Sequence, residues 1–390
     1  MSMDRRAFLG TTLLGVGSLA LGGSLWRSTA GPMTATTAAV GPYGPLLPAD
    51  GNGVRLPKGF TSRLVARTGE PVANSSYLWH PAPDGGACFR DSTGWIYVSN
   101  SEVWQTGGAS AIRFGADGSI TDAYRILAGT DRNCAGGPTP RGTWLSCEEV
   151  SRGGMYETDP GGERAAVVRP AMGRFTHEAA AVDPVRRVVY LTEDEPDGCF
   201  YRFVPSAWPD LAEGSLQVLC QQDADQPVTW TVVPAPSAQE HPTRDQVPDA
   251  TRFDGGEGAW YGQDACWFTT KGDNRVWRYD AARARLAVIY SGDSVAAQLD
   301  NVDNITLSTS GEVFVAEDGP NMQICTITGG NRVATFLSIT GHRDSEVAGP
   351  AFSPDGSRLY FSSQRGPSGH DDDGIKYEVT GPFRSRVSAT

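Results

Sequence analysis

The sequence predicts an all-β chain folded as a six-bladed β-propeller, its ring closed by an N-terminal strand. Three observations carry this. A short phrase returns six times: a turn, an alternating strand with a central aromatic, then a small hydroxyl or Ala residue and a polar one, centred on Tyr97, Trp144, Tyr190, Trp267, Phe314 and Tyr360. Successive centres lie 47, 46, 77, 47 and 46 residues apart, and a period in the forties made of strands and turns marks propeller blades. A second apolar stretch precedes the aromatic strand and ends in a turn of Asp, Pro and Gly, as at Asp91-Ser92-Thr93-Gly94 and Pro354-Asp355-Gly356, which makes the pair a hairpin. A ring of such hairpins uses most of the 390 residues as one domain.

In chain order, residues 1–30 read as a twin-arginine export signal. Arg5-Arg6 precedes Ala7-Phe8-Leu9 and an apolar, Gly-rich run through Leu25, with cleavage expected after Ala30 or near Ala39. Gly and Ser interrupt that run and argue against a retained membrane anchor, so a periplasmic or secreted protein is expected. Residues 31–55, rich in Pro, Gly, Ala and Thr, read as a surface linker. The propeller then occupies 56–390. Residues 60–66 alternate like a strand and are expected to complete the last blade beside the tail strand 376–379. Residues 206–254, with Trp208 and Trp230, account for the long third interval as an insertion, either a lid over the site or a surface excursion.

Lys and Arg total 33 against 45 Asp and Glu, a net charge of -12. Nucleic acid, which needs a basic face, is therefore excluded as a partner. Seven cysteines are scattered without CxxC spacing, and an odd count in an exported chain leaves at least one thiol unpaired when pairing is intramolecular. Antiparallel pairing brings the start of each first strand and the end of each second strand to one edge. Second strands finish at Asn100, Cys147-Glu148-Glu149, Glu193-Asp194-Glu195, Thr270-Lys271, Glu317-Asp318 and Ser363-Gln364. First strands begin at Asn133, Glu178, Glu257, Asp303-Asn304 and Glu346. Carboxylates from four blades thus converge on one mouth of the channel, where they repel unless cations neutralise them or some are protonated. Strand alternation lets only some members of a run such as Glu193-Asp194-Glu195 face the channel. Carboxylates suit Ca²⁺, Mg²⁺ or Mn²⁺, whereas a thiolate favours a transition metal such as iron. The candidate ligands are the thiol and acids at these ends, Cys147 with Glu148 or Glu149, Glu178, members of the Glu193-Asp194-Glu195 run, Glu257, Asp303 and Asp318, and strand parity leaves open which of each run faces the channel. His177 and Asn304 are expected to support them, His177 by orienting Glu178.

Several runs resemble the PhoX-type alkaline phosphatases: Gly142-Thr143-Trp144-Leu145-Ser146-Cys147-Glu148-Glu149, Gly173-Arg174-Phe175-Thr176-His177-Glu178-Ala179, Tyr190-Leu191-Thr192-Glu193-Asp194 with Tyr201-Arg202-Phe203-Val204, and Asp300 to Asn304 with Ala316-Glu317-Asp318-Gly319. The likeness extends from about Gly86 to Phe383. It implies a six-bladed, exported propeller binding iron and calcium at the channel mouth and hydrolysing phosphate esters. Carried over by motif, it implies Cys147 as an iron ligand, with Glu178, Asp194, Glu257 and Asp303 in the metal site. The likeness breaks at Gly255, where the family has an Arg that grips phosphate with a bidentate fork; Lys271, Arg275 or Arg252 are the nearby replacements.

The expected activity is hydrolysis of a small phosphorylated substrate by a monomer, with clustered metals binding the phosphoryl oxygens and activating water, and no Ser-His-Asp set. The rival readings are a calcium-dependent lactonase-like propeller, which leaves Cys147 without a role, and a non-catalytic propeller whose metals only staple the blades.

Overall fold

The computed structural model describes residues 41–293, 298–329 and 331–384. The twin-arginine segment, its cleavage region and the first part of the 31–55 stretch lie outside the described residues. Six antiparallel sheets carry the chain, and in each the strands run outward in sequence order from an inner strand, except that the outermost strand of two sheets comes from the N-terminal part of the chain. The inner strands of blades 1 to 6 are Pro83–Asp91, Asn133–Pro138, His177–Asp183, Gly256–Gly262, Val302–Leu307 and Val347–Phe352. Each packs against the inner strands of both neighbouring blades, the sixth against the first, so they form a closed ring. Among the described residues no helix is long and apolar enough to cross a membrane.

The repeated aromatic explains why the hairpins associate. Tyr97, Trp144, Tyr190, Phe314 and Tyr360 are fully buried, and Tyr97 of blade 1 stacks on Tyr360 of blade 6 with ring centroids 5.1 Å apart. Burying one such ring contributes on the order of 2–3 kcal/mol, and only an adjoining blade can cover it. The ring is sealed by the N-terminal strand Thr61–Arg67, which pairs with Ile375–Thr380 in the register Leu64↔Tyr377 and becomes the outermost strand of blade 6.

Two readings of the chain's organisation are corrected. The stretch read as a linker docks on the propeller in its described part: Val54–Arg55 pairs with Ile339 and Ser338 at the edge of blade 5. Tyr43 packs edge-on against Phe60 and Phe336, each at 5.3 Å between ring centroids, and its hydroxyl donates to Glu312 at 2.5 Å. Its apolar side chains have a core to join, which composition alone conceals. The 206–254 stretch is only partly an insertion. It contains the fourth strand of blade 3, Asp210–Cys220, and a fifth, Thr229–Val232, before a loop returns through Arg252–Phe253.

All six inner strands share one irregularity. Near the start of each, register with the second strand slips, between Pro83 and Gly86, Asn133 and Gly136, His177 and Ala180, Gly256 and Ala259, Val302 and Ile305, and Ala348 and Ala351. A bulge of this kind bends the strand and re-aims a side chain.

Candidate metal centre

The first residue inside each bulge is Asp84, Cys134, Glu178, Glu257, Asp303 and Gly349 in blades 1 to 6. Six equivalent backbone positions therefore offer four carboxylates, one thiol and one residue without a side chain. A second set comes from the residues just beyond the second strands: Glu102, Glu149, Asp194, Lys271, Asp318 and Gln364. In every blade the N–H of that residue donates to the carbonyl of the residue preceding the inner strand, Glu102 to Ala82 at 3.0 Å, Glu149 to Arg132 at 2.9 Å, Asp194 to Thr176 at 3.1 Å, Lys271 to Gly255 at 2.8 Å, Asp318 to Asn301 at 2.9 Å and Gln364 to Glu346 at 3.1 Å. The repeat thus sets two coaxial tiers of functional groups at one mouth.

Side chains of the next strand along lock the bulges. Asn100 donates from Nδ2 to the carbonyls of Cys134 at 3.0 Å and Ala135 at 2.8 Å, while Thr192 donates to the carbonyl of Glu257 at 2.6 Å and Thr269 to that of Asp303. In these blades the hydroxyl or the polar residue after the aromatic thus pins the ring residue of the following blade.

Potential ligand atoms cluster in four overlapping groups, each within 4.8 Å: Asp84 with Glu102 and Cys134, Cys134 with Glu149 and Glu178, Glu178 with Glu257 and Asp303, and Asp303 with Asp318 and Glu346. Shared members join them into one cluster. The Cys134 thiol donates toward Glu178 Oε1 at 3.1 Å and lies 3.6 Å from Asp84 Oδ2. Asn304 Nδ2 donates to Asp303 at 2.9 Å, and its Oδ1 accepts the Gly349 N–H at 2.5 Å, filling the place the sixth blade leaves bare. Lys271 Nζ is 3.0 Å from Glu257, 3.2 Å from Asp318 and 3.9 Å from Asp303. Arg365 pairs with Glu346 and lies 3.5 Å from Glu102.

So much acid in one buried place is unfavourable by itself. Burial, reinforced by neighbouring carboxylates, pushes Asp84, Glu149, Glu178 and Glu346 well above the usual carboxylate range. Glu257 is also well above it and Asp303 is raised to about 6, burial outweighing the Lys271 ammonium in both. Burial works against the Lys271 charge too, but Glu257, Asp303 and Asp318 hold its pKa well above the ordinary lysine value. Burial, with Asp84 and Glu178 beside it, likewise pushes the Cys134 thiol up. Three buried acceptors at the cluster, Asp84 Oδ1, Glu178 Oε2 and Gln364 Oε1, have no hydrogen-bond partner. Unpartnered buried oxygens cost about 1–3 kcal/mol each, and a bound cation supplies the missing partner. The donor set, many oxygens and one sulfur, fits hard divalent cations together with a transition metal. Gly349 and the residues that follow the other ring positions, such as Gly85, Ala135, Ala179 and Gly258, line a small cavity of about 20 Å³ between the inner strands.

Of the residues expected from sequence, Glu178, Glu257, Asp303 and Asp318 lie in the cluster, and Asp194 stands in its second tier beside Glu149. Asn304 and Lys271 lie among them. Four others are displaced. Cys147 is buried in an apolar core with Leu145 and Met155, its Sγ 3.8 Å from the Met155 sulfur, because strand alternation turns it from the channel. Glu148 binds the backbone N–H groups of Asp131 at 3.0 Å and Gly154 at 2.9 Å, bracing a loop, and its neighbour Glu149 reaches the cluster instead. His177 points opposite to Glu178, stacks on Phe175 at 3.6 Å between centroids and bonds the Gly173 carbonyl at 3.2 Å; burial holds its pKa down to about 3, so it is a neutral packing residue. Arg275 pairs with Asp273 at 3.0 Å and Asp293 at 3.5 Å.

The sequence reading missed Asp84, Glu102, Cys134 and Arg365, and left Glu346 out of its ligand set and Glu149 in it only as an alternative to Glu148. One signal was available. Ring residues precede small ones, in Asp84-Gly85-Gly86, Cys134-Ala135-Gly136, Glu178-Ala179-Ala180 and Glu257-Gly258-Ala259, because neighbouring inner strands nearly touch there. A Cβ on Gly85 would come within 2.5 Å of Ala135 Cα, and one on Gly258 within 2.7 Å of Asn304 Cα.

The fold recurs in known proteins. *Pseudomonas fluorescens* PhoX, solved with vanadate as a transition-state analogue, superposes with a TM-score of 0.69 at 17% identity over 88% of this chain and 99% of that one. The gluconolactonase XC5397 from *Xanthomonas campestris* does so with a TM-score of 0.51 at 13% identity over the same shares, 88% and 99%. Among curated proteins none matches the sequence. The family model described as alkaline phosphatase PhoX matches residues 98–164 and 152–366, well over half of the sequence, and the chain belongs to the PhoX alkaline phosphatase family.

Proposed function

We propose that this protein is an exported, metal-dependent phosphoesterase that hydrolyses small phosphorylated substrates as a monomer at the propeller mouth. The observation that carries the reading is the buried cluster of carboxylates around a single thiol, with acceptor oxygens left unpartnered. Asp84, Cys134, Glu149, Glu178, Glu257, Asp303, Asp318 and Glu346 are the residues that would hold iron and calcium, Cys134 favouring iron. When bound, such ions bind phosphoryl oxygens, acidify a water and offset charge on the leaving oxygen. The chain's own part is to fix those ligands on bulged strands and supply cations at the rim. Lys271 and Arg365 take over the role of the family arginine missing at Gly255, since each stands at the cluster with donors turned to it. The thiol in the ligand set speaks for this reading over a calcium-only lactonase, in which Cys134 has no task. Export by the twin-arginine route fits a protein that acquires its metals while folding inside the cell.

The test is elemental analysis of protein purified after export, with assays on p-nitrophenyl phosphate and bis-p-nitrophenyl phosphate before and after chelation. Iron with calcium, and phosphate-ester hydrolysis lost on chelation, is the expected result. Calcium alone with no hydrolysis of either ester overturns it.

A further inference from the structure

Beside the cluster, the loop that follows the fifth strand of blade 3 encloses a cavity of about 250 Å³ against blades 2 and 3, lined among others by Arg152, Arg174, Phe175, Thr176, His241 and Arg244. Its lining is tied through the backbone to segments that carry residues of the metal centre. The Thr176 carbonyl accepts the Asp194 N–H at 3.1 Å, and Arg152 follows Glu149 by three residues. The outer wall is held in place by structure rather than by chance: Thr243 Oγ1 donates to the Arg174 carbonyl at 2.8 Å, and the Arg174 N–H donates to the Pro236 carbonyl at 2.9 Å. Arg244 bonds Glu193 at 3.1 Å and Asp197 at 3.0 Å, so its charge and that of Glu193 are matched. Arg152 donates to the Ser237 carbonyl at 3.2 Å, and neither it nor Arg174 pairs with a carboxylate among the described residues. In a protein of net charge -12, half-buried Arg174 and solvent-exposed Arg152 bring two guanidiniums without a carboxylate partner to one cavity, the donor geometry that receives an anion. The remaining acid of the lining, Glu240, is solvent-exposed.

We infer that this cavity is a second anion subsite, which selects phosphate esters whose alcohol portion carries another negative group, a carboxylate or a second phosphate. The inference rests on the phosphoesterase reading, which puts the phosphoryl group on the cluster, and adds the substrate class. Phe175 gives the subsite an apolar floor for the carbon skeleton between the two anions.

The test is equilibrium binding to the metal-replete protein of three non-hydrolysable series of increasing chain length: alkylphosphonates, ω-carboxyalkylphosphonates and α,ω-bisphosphonates. At one length or more, the doubly anionic ligand should bind at least about tenfold tighter than the alkylphosphonate, the worth of one charge-assisted contact. A carboxylate or a second phosphonate giving the larger gain identifies the group. Arg152→Ala with Arg174→Ala should remove the preference and leave alkylphosphonate affinity unchanged. Equal affinity of all series at every length, or a preference that survives the double substitution, overturns the subsite alone. No binding by any series overturns the phosphoryl-binding reading, and the subsite with it.

Discussion

Cys134 and Cys147 lie on the paired strands of one hairpin, yet the first faces four carboxylates across two contact groups and the second faces Met155. Their chemistry separates accordingly. On the proposed function, Cys134→Ala should lose iron and phosphatase activity together, with its melting temperature falling toward that of the metal-stripped protein, since it removes a ligand and little packing. Cys147→Ala should keep its metals and activity but lose about 1–2 kcal/mol of stability through the cavity it leaves. Elemental analysis and thermal denaturation of the two variants check both. Retained iron in Cys134→Ala would remove the thiol from the metal site.

At the level of the strand, function depends on a defect repeated six times. A regular inner strand would send alternate side chains to opposite faces of its blade; the bulge turns one per blade toward the axis. Gly349 shows the constraint most sharply. Its φ is +60°, and a Cβ there would meet the Asp84 carbonyl oxygen at 2.4 Å. Gly349→Ala should therefore cost about 1–3 kcal/mol in chemical denaturation, through left-handed strain and the clash, and it should weaken metal retention because Asp84 is the group displaced. The clamps from Asn100, Thr192 and Thr269 each hold the ring residue of the following blade, so in these three blades the hydroxyl or amide after the aromatic serves the next repeat rather than its own.

Across the whole molecule, the ring trades stability for a charged centre. Without cations, the raised carboxylates are more easily protonated in the folded state than in the unfolded chain. Their sign is fixed: in the metal-stripped protein the contribution of these groups to stability is fully present below the ordinary carboxylate value of about 4, and it is lost as pH rises through their raised folded values, about 6 for Asp303, with Glu178 and Glu257 shifted in the same direction. Melting temperatures of chelated and metal-replete protein between mildly acidic and neutral pH measure this. The gap should widen with pH, and a constant gap would contradict the electrostatic account. The blade number, the closing strand and the gathering of acids at one mouth were all readable from the chain, because hairpin period and turn chemistry are local and antiparallel pairing fixes which ends meet. Which acid of a pair such as Glu148 and Glu149 faces the axis, and that Cys134 rather than Cys147 does so, was settled only by the tertiary structure. A bulge shifts strand parity by one residue, and it forms where neighbouring inner strands crowd together, a contact between blades that no single repeat encodes.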